Sequence, residues 1–389
     1  MIVLFWLLVV LITWHFVGYG ALLWLLTRAK RSRSVDMSGE LPTVSIVITV
    51  HNEEAIIADR IANCLSLDYP HDRLEILICS DASTDRTADI ARSFETVKVI
   101  ESETRHRART QSLGVKRATG DVVCFTDAET SYDSQCIRRM AERYADPKVG
   151  GVVGYLQFRS PQGSSQVSSL GGFFAAYWQW ENYLRQWQSE LGVLFKLSGA
   201  NMSMRTSLYR LPPRGVDIDQ SAGLALALQG YRVVTASRAI AYDLFSARPH
   251  SEWVIRRRLT VQALTSLLHY RRLLNPLRHP VRAFHLFSYS LLRYLMPLLF
   301  LGIFTTSATL SLFSPFFAAI AGLQVVFLAL ALIGWATQRS KRTHGLLGWP
   351  YAACVFQAGL LAGLVEFASG RRIDAYEPVR TPEDKEQSR

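Results

Sequence analysis

The stretch Thr-Val-Ser-Ile-Val-Ile-Thr-Val (43–50) runs directly into His51-Asn52-Glu53-Glu54, and the same design recurs twice before Glu129. Leu74-Glu75-Ile76-Leu77-Ile78-Cys79 leads into Ser80-Asp81-Ala82-Ser83-Thr84-Asp85, and Asp121-Val122-Val123-Cys124-Phe125-Thr126 leads into Asp127-Ala128-Glu129. Each is an apolar run of strand length closed by acids. Segments of helical period lie between them. The expected order is strand 43–50, helix 53–66, strand 74–79, helix 85–95, strand 97–100, helix 107–118, strand 121–126 and helix 133–145. Such alternation predicts an α/β fold with a mostly parallel sheet. Ligands of open α/β sheets bind beyond the carboxyl ends of the strands, so the three acidic clusters should converge on one sheet edge. Carboxylates gathered there suit a divalent cation that takes its other ligands from phosphates.

Outside this region the composition changes. Residues 1–26 contain no Asp, Glu, Lys or Arg, residues 283–338 contain only Arg293, and residues 343–370 contain only Glu366. A membrane span needs about 20 apolar residues, so both ends of the chain read as membrane-embedded around a polar middle. A cleaved signal peptide is disfavoured at 1–26, because no basic segment precedes the apolar run and no small-residue cleavage site follows. Arg28, Lys30, Arg31 and Arg33 follow it instead, which puts the polar domain in the cytoplasm by the positive-inside rule.

The net charge of +11 is concentrated, with eight Arg and one acid, Glu252, between Arg248 and Arg282. Beside a membrane run this points to anionic lipid or a phosphate-bearing substrate rather than to nucleic acid. The cysteines at 64, 79, 124, 136 and 354 show no Cys-x-x-Cys spacing. They read as small reduced hydrophobes.

The expected organisation is a membrane anchor at 1–27, a linker at 28–42, an α/β domain at 43–270, juxtamembrane and membrane segments at 271–370 and a polar tail at 371–389. Within the domain, residues 164–191 form a helix whose Phe173, Tyr177, Trp180, Leu184, Trp187 and Leu191 share one face. That face serves one of two purposes: packing against the sheet, or lying at the membrane interface, where Trp and Tyr are enriched. A helix ending at Gln229, a stop at Gly230, a strand at 231–236 and a helix at 251–268 follow. Apolar segments near 286–306, 316–336 and 347–369 complete the chain, with Pro297 and Pro350 expected to kink two of them. Three crossings there would put Arg371 and Arg372 outside, although these and the Arg-Ser-Lys-Arg of 339–342 favour the inside. Segment 347–369 is therefore either a span or re-entrant.

No Gly-x-Gly-x-x-Gly follows the first strand and no P-loop occurs. Phosphates must then be held by a cation and basic side chains. Asp127 and Glu129 are alternate residues leaving a strand and can address one divalent ion. Asp85 can cap the helix after it, which frees Asp81 for a ligand. His51 is a packed loop residue or stacks on a base. Asp217 reads as a helix cap.

Together these residues resemble the family 2 glycosyltransferases, membrane-bound inverting enzymes of GT-A fold, over roughly 43–260. The motifs similar to the family's are His51-Asn52-Glu53, Ser80-Asp81-Ala82-Ser83-Thr84-Asp85, Arg107 through Ala118-Thr119-Gly120-Asp121, Asp127-Ala128-Glu129 and Ser198-Gly199-Ala200. The resemblance implies that Glu53 and Asp81, with His51, Arg107 and Arg258, bind the donor. It implies that Asp127 and Glu129 bind Mg2+ or Mn2+, and that Ser198, Gly199 and Ala200 lie near the acceptor. The family's catalytic acid stands eleven residues before the Gly of a Gly-Tyr-Arg-Val run, which here is Asp219 before Gly230. The usual preceding Glu is Ile218. Processive members carry Gln-x-x-Arg-Trp where this chain has Ile255-Arg256-Arg257-Arg258-Leu259.

The expectation is a multi-pass glycosyltransferase of a bacterial inner membrane, with its catalytic domain cytoplasmic. It uses a nucleotide sugar, UDP-linked, and a lipid-linked or saccharide acceptor. The alternatives are a processive synthase of the cellulose or hyaluronan type, and a nucleotide-binding transport or scaffold subunit.

Overall fold

The computed structural model describes residues 1–30, 40–159, 169–244, 249–338 and 348–373. The expected linker 28–42 is thus described only at its ends. Residues 164–168, the basic run 339–342 and the tail from 374 lie outside the described residues. The chain divides into two compact units, one built from Met1–Lys30, Gln162–Leu184 and Ser246–Ile373, the other from Arg31–Pro161 and Arg185–Phe245. This division differs from the expected domain 43–270. Helix Pro249–His269 and residues 169–184 group with the apolar helices.

The α/β unit carries eight strands: β1 (Val44–Val50), β2 (Leu74–Asp81), β3 (Val97–Ser102), β4 (Val122–Thr126), β5 (Ser131–Tyr132), β6 (Val149–Arg159), β7 (Met202–Arg205) and β8 (Arg232–Leu244). Their order is β3-β2-β1-β4-β7-β6-β8-β5. The first four are parallel, β7 is antiparallel to both β4 and β6, and β8 is parallel to β6. The sheet is therefore mixed rather than mostly parallel. Strand order reverses between β1 and β4, which makes the crevice beyond their carboxyl ends the ligand position for an open α/β sheet.

The two-residue period of β1 decides the packing. Ile46, Ile48 and Val50 join one core with Ile57 and Ile61 of helix Ile57–Leu65 and with Ile137 and Met140 of helix Cys136–Ala141. Val47 joins the opposite core with Leu77, Phe125 and Leu226. Helix Arg107–Arg117 covers that second face closely, for a Cβ on Gly114 would lie 2.5 Å from the Cys79 sulfur. Cys79 and Cys124 are buried free thiols whose pKa values burial pushes up to about 12, as inert core residues require. Gly120 of the Ala-Thr-Gly-Asp motif stands against the start of β1, where its Cβ would meet Ser45 N at 2.7 Å. Asp121 accepts from Thr43 Oγ1 at 2.7 Å. This motif closes the amino end of the sheet, opposite the ligand edge.

In the apolar unit, four stretches among the described residues are long and apolar enough to cross a membrane: Ile2–Ala29, Pro280–Leu310, Pro315–Thr337 and Gly348–Ala368. Pro297 lies inside helix Leu292–Leu310, one turn after a π-helical turn at Leu286–Leu291. Pro350 falls in the first turn of helix Gly348–Ala368, where a missing N–H breaks no bond, so it starts that helix rather than kinking it. Residues up to Leu184 of helix Ser169–Leu191 belong here. The Trp180 ring lies against Gly20, Tyr177 is edge-on to Phe356, and Glu181 accepts from Tyr289 Oη and Arg293 Nη2, both at 2.5 Å. Tyr177, Trp180 and Glu181 thus pack on the apolar helices.

Candidate active site

The carboxyl ends of β1 and β2 are laced together. Asn52 and Ala82, each just past a strand, adopt left-handed φ values of 56° and 54°. Asn52 Oδ1 accepts from Thr84 N at 2.8 Å. Asp85 accepts from Thr87 N at 3.0 Å and from Glu54 N at 3.2 Å, and thereby fixes the start of helix Thr87–Arg92. Asp85 does the capping that Asp81 would otherwise do. The Asp81 carboxylate instead uses one oxygen, Oδ1, to hold His106 N at 2.8 Å and Thr110 Oγ1 at 2.6 Å, at the head of helix Arg107–Arg117. Its Oδ2 is left for a ligand donor. The Asp81 carbonyl pairs with His51 Nδ1 at 2.7 Å, which orients the imidazole. Glu53 is tied by its backbone N–H to Thr87 Oγ1 at 2.7 Å.

Past β4, Asp127 forms an ion pair with Arg107, the first residue of helix Arg107–Arg117. Four elements thus bring His51, Glu53, Asp81, Arg107 and Asp127 to one sheet edge, and Glu129 follows on the same loop as an exposed residue. Beneath that loop lies Arg60, buried on helix Ile57–Leu65. It donates to Thr126 Oγ1 at 3.0 Å and stacks its guanidinium 4.5 Å from the Tyr132 ring. Among the described residues no three His, Cys, Asp or Glu side chains converge as a metal cage. A pair of carboxylates fits a cation that draws its remaining ligands from phosphate and water, not a structural metal.

Asp219 sits at the start of helix Ile218–Leu228, whose cap is Asp217. Asp217 accepts from Asp219 N at 3.1 Å and from Gln220 N at 3.2 Å, and it pairs with Lys196 at 3.1 Å. The Asp219 Oδ2 accepts from Gly199 N at 2.7 Å. Burial, followed by the charge of Asp217, raises the Asp219 pKa to about 6, with the Gly199 N–H and Lys196 pulling the other way. The nearness of Gly199 is required: a Cβ there would lie 3.0 Å from Asp219 Oδ1. A Cβ on Gly223 of the same helix would run into the Phe195 carbonyl, so helix and loop 193–201 share one close packing.

Ser198, Gly199 and Ala200 all lie on that loop. It is pinned by Asn201, fully buried, which donates through Nδ2 to Ala239 O at 3.0 Å and accepts at its own carbonyl from Gly154 N at 3.0 Å. Sequence reasoning passed over Lys196, Asn201, Thr110 and Arg60, whose partners lie far away along the chain. Arg258 is on helix Pro249–His269 of the apolar unit.

Comparison with known proteins agrees with this geometry. Residues 45–211 match the profile of Glycosyl transferase family 2. The chain is 30% identical over 183 residues to "Probable glycosyltransferase YdaM" of Bacillus subtilis, 43% of this chain and 42% of that protein. It is 29% identical over 138 residues, 33% of this chain and 43% of the relative, to the dolichyl N-acetyl-alpha-D-glucosaminyl phosphate 3-beta-D-2,3-diacetamido-2,3-dideoxy-beta-D-glucuronosyltransferase of Methanococcus voltae. The matched region spans less than half the length of either relative. In fold it superposes on the mannosyltransferase PcManGT from Pyrobaculum calidifontis, solved in complex with GDP-Man and Mn2+. The TM-score is 0.70 at 22% identity, covering 95% of this chain and 100% of that one. Sheet order, acidic strand ends and profile agree: residues 45–211 match glycosyl transferase family 2, and the chain carries a GT-A fold.

Proposed function

We propose that this chain is a membrane-bound inverting glycosyltransferase that moves a sugar from a nucleoside diphosphate, UDP in the first instance, onto a lipid-linked acceptor. The observation that carries the reading is Asp219. It is a partly buried carboxylate with a pKa raised to about 6, oriented by the Gly199 N–H. A general base works best with a pKa near the working pH. Here Asp219 takes the proton of the acceptor hydroxyl. The oxygen attacks the anomeric carbon from the face opposite the diphosphate, and the sugar–phosphate bond breaks as the new one forms.

Asp81 Oδ2 accepts from the base of the donor and His51 stacks on it, with Glu53 on the nucleoside. Asp127 and Glu129 would hold Mg2+ or Mn2+, which when bound supplies positive charge to the departing diphosphate. Arg107 is tethered at Asp127 until donor phosphates compete for it, and Arg258 is assigned to the same diphosphate. Ser198, Gly199 and Ala200 border the acceptor. A lipid-linked acceptor is supported by the candidate spans and by the dolichyl phosphate named for the Methanococcus protein. We assign the protein to a bacterial inner membrane with the α/β unit in the cytoplasm, on the strength of the basic residues after the first span.

Protein reconstituted in lipid with a panel of labelled UDP- and GDP-sugars tests this. Asp219→Asn should lower turnover by about 10²–10⁴-fold and leave donor binding within a few-fold. Turnover by the wild type should fall as pH drops through about 6, where Asp219 gains its proton. The raised pKa means that protonation of this group favours the folded state, so Asp219 itself does not drive unfolding as turnover falls. Normal turnover in the variant refutes the base assignment. Donor binding without any transfer would favour the nucleotide-binding transport or scaffold subunit.

A further inference from the structure

Length and hydropathy qualify Gly348–Ala368 as a candidate span, yet its surroundings are not those of a span. Within the apolar unit it runs alongside helix Pro249–His269 in the same direction. A Cβ on Gly359 would meet the Trp253 carbonyl at 3.1 Å, and one on Gly363 would meet the Arg257 carbonyl at 2.6 Å. Small residues four apart let two backbones approach this closely. Further along, Gln262 Nε2 donates to Ile373 O at 3.1 Å. The partner helix is charged where the two meet. Arg256 pairs with Glu252 at 3.1 Å and stacks 4.6 Å from the Phe356 ring, and Arg257 faces Glu366 at 3.6 Å. Glu366 also takes Arg371 at 2.9 Å.

If Gly348–Ala368 crossed the bilayer, a parallel helix bearing Glu252, Arg256 and Arg257 would be drawn across beside it. Helix Pro249–His269 is not apolar enough to be among the candidate spans, and charges at bilayer depth are costly. Beyond it the chain exposes Arg271, Arg272 and Arg278 with Leu277, 93% exposed, before the next span starts at Pro280. Basic heads beside an exposed apolar side chain are what a headgroup layer accepts.

We infer that helix Gly348–Ala368 does not cross the membrane. It lies with helix Pro249–His269 on the bilayer face that holds Lys30, and the pair docks on the headgroups of anionic phospholipid. The helix also touches Leu292–Leu310 and Pro315–Gln338, so these contacts leave its depth to be decided by the charged partner helix. The remaining three spans then leave Lys30 and the Arg371–Arg372 pair on one side, which removes the charge conflict for that pair. The inference does not rest on the proposed activity.

Single cysteines at Leu312, between two spans, and at Ser369, just past the helix, test it in the full chain with Cys354→Ala. The other four cysteines are buried. A membrane-impermeant maleimide on sealed vesicles of each orientation should reach Leu312→Cys and Ser369→Cys from opposite faces. Labelling of both from the same face overturns the inference. Should the cysteine variants misfold, reporters on the carboxyl terminus of the unaltered chain decide it in a bacterial host. A fluorescent green fluorescent protein with an inactive alkaline phosphatase supports the inference, and an active phosphatase overturns it. Native mass spectrometry from mixed micelles should retain phosphatidylglycerol over phosphatidylcholine by several-fold. Arg271→Ser/Arg272→Ser/Arg278→Ser should lose that preference, and equal retention by both proteins sinks the lipid assignment.

Discussion

Gly199 and Asp219 form one device, the glycine supplying both an N–H and the absence of a side chain. Asp219 stays partly charged at neutral pH because that N–H and Lys196 oppose the burial and the Asp217 charge that raise its pKa. Gly199→Ala would push a methyl to 3.0 Å from Asp219 Oδ1 and crowd the carboxylate off the N–H. We expect turnover to fall about 10–100-fold, near one removed hydrogen bond plus misplacement of the base. The midpoint of thermal unfolding should move little, since Gly199 is on a surface loop segment and only partly buried. A variant with full turnover would show that this contact does not set the carboxylate. At this scale the sequence was partly legible. Asp219 stood out through its spacing to Gly230, and Asp85 could be read as the cap that leaves Asp81 free. Lys196 and Asn201 could not, because a lysine before a loop and an asparagine after Ser-Gly-Ala carry no local pattern. Their partners, Asp217 and Ala239, are fixed by tertiary packing.

Among the elements, the strands at 44–50, 74–81, 97–102 and 122–126 were legible because they alternate branched apolar residues between charged or glycine stops. The strand Val149–Arg159 was not. Gly150, Gly151 and Gly154 break its pattern, and each is required by a close neighbour: a Cβ on Gly151 would lie 2.8 Å from Leu226. The aromatic face of helix Ser169–Leu191 was legible, but not the acid between its aromatics. Glu181 is 4% exposed and Arg293 14%, and they are paired within the apolar unit, with Tyr289 as second donor. Removing one partner of such a pair strands the other charge and costs about 3–5 kcal/mol, whereas replacing both with apolar groups costs far less. Arg293→Leu should therefore lower thermal stability in detergent sharply, and Glu181→Leu/Arg293→Leu should recover most of it. If the double variant is as unstable as the two single losses added together, the two residues act independently and their pairing contributes nothing to stability.

For the molecule as a whole, the question is whether a product passes through it. A protein-lined conduit for sugars needs polar side chains facing inward and helices that bury their surfaces against one another. Here only 11% of the most apolar stretch of Ile2–Ala29 and of Pro315–Thr337 is buried. The exposed residues include Val3, Leu7, Val10, Leu323, Val326 and Leu332, side chains suited to lipid. A processive enzyme must also grip the polymer end after each addition. The positions beside Arg258 that would do so are Ile255 and Leu259, which offer neither a hydrogen bond to a hydroxyl nor a broad ring for stacking. On the proposed reading, the acceptor would leave after each turnover and be kept in the bilayer by a lipid tail. We expect reconstituted protein to add one or a few sugars to a lipid acceptor, giving a discrete product mass by mass spectrometry. Raising donor concentration should increase the amount of that species without lengthening it, because length is set by release and not by supply. A ladder reaching high mass from this chain alone would mean that other residues hold the growing end, and the processive reading would replace this one.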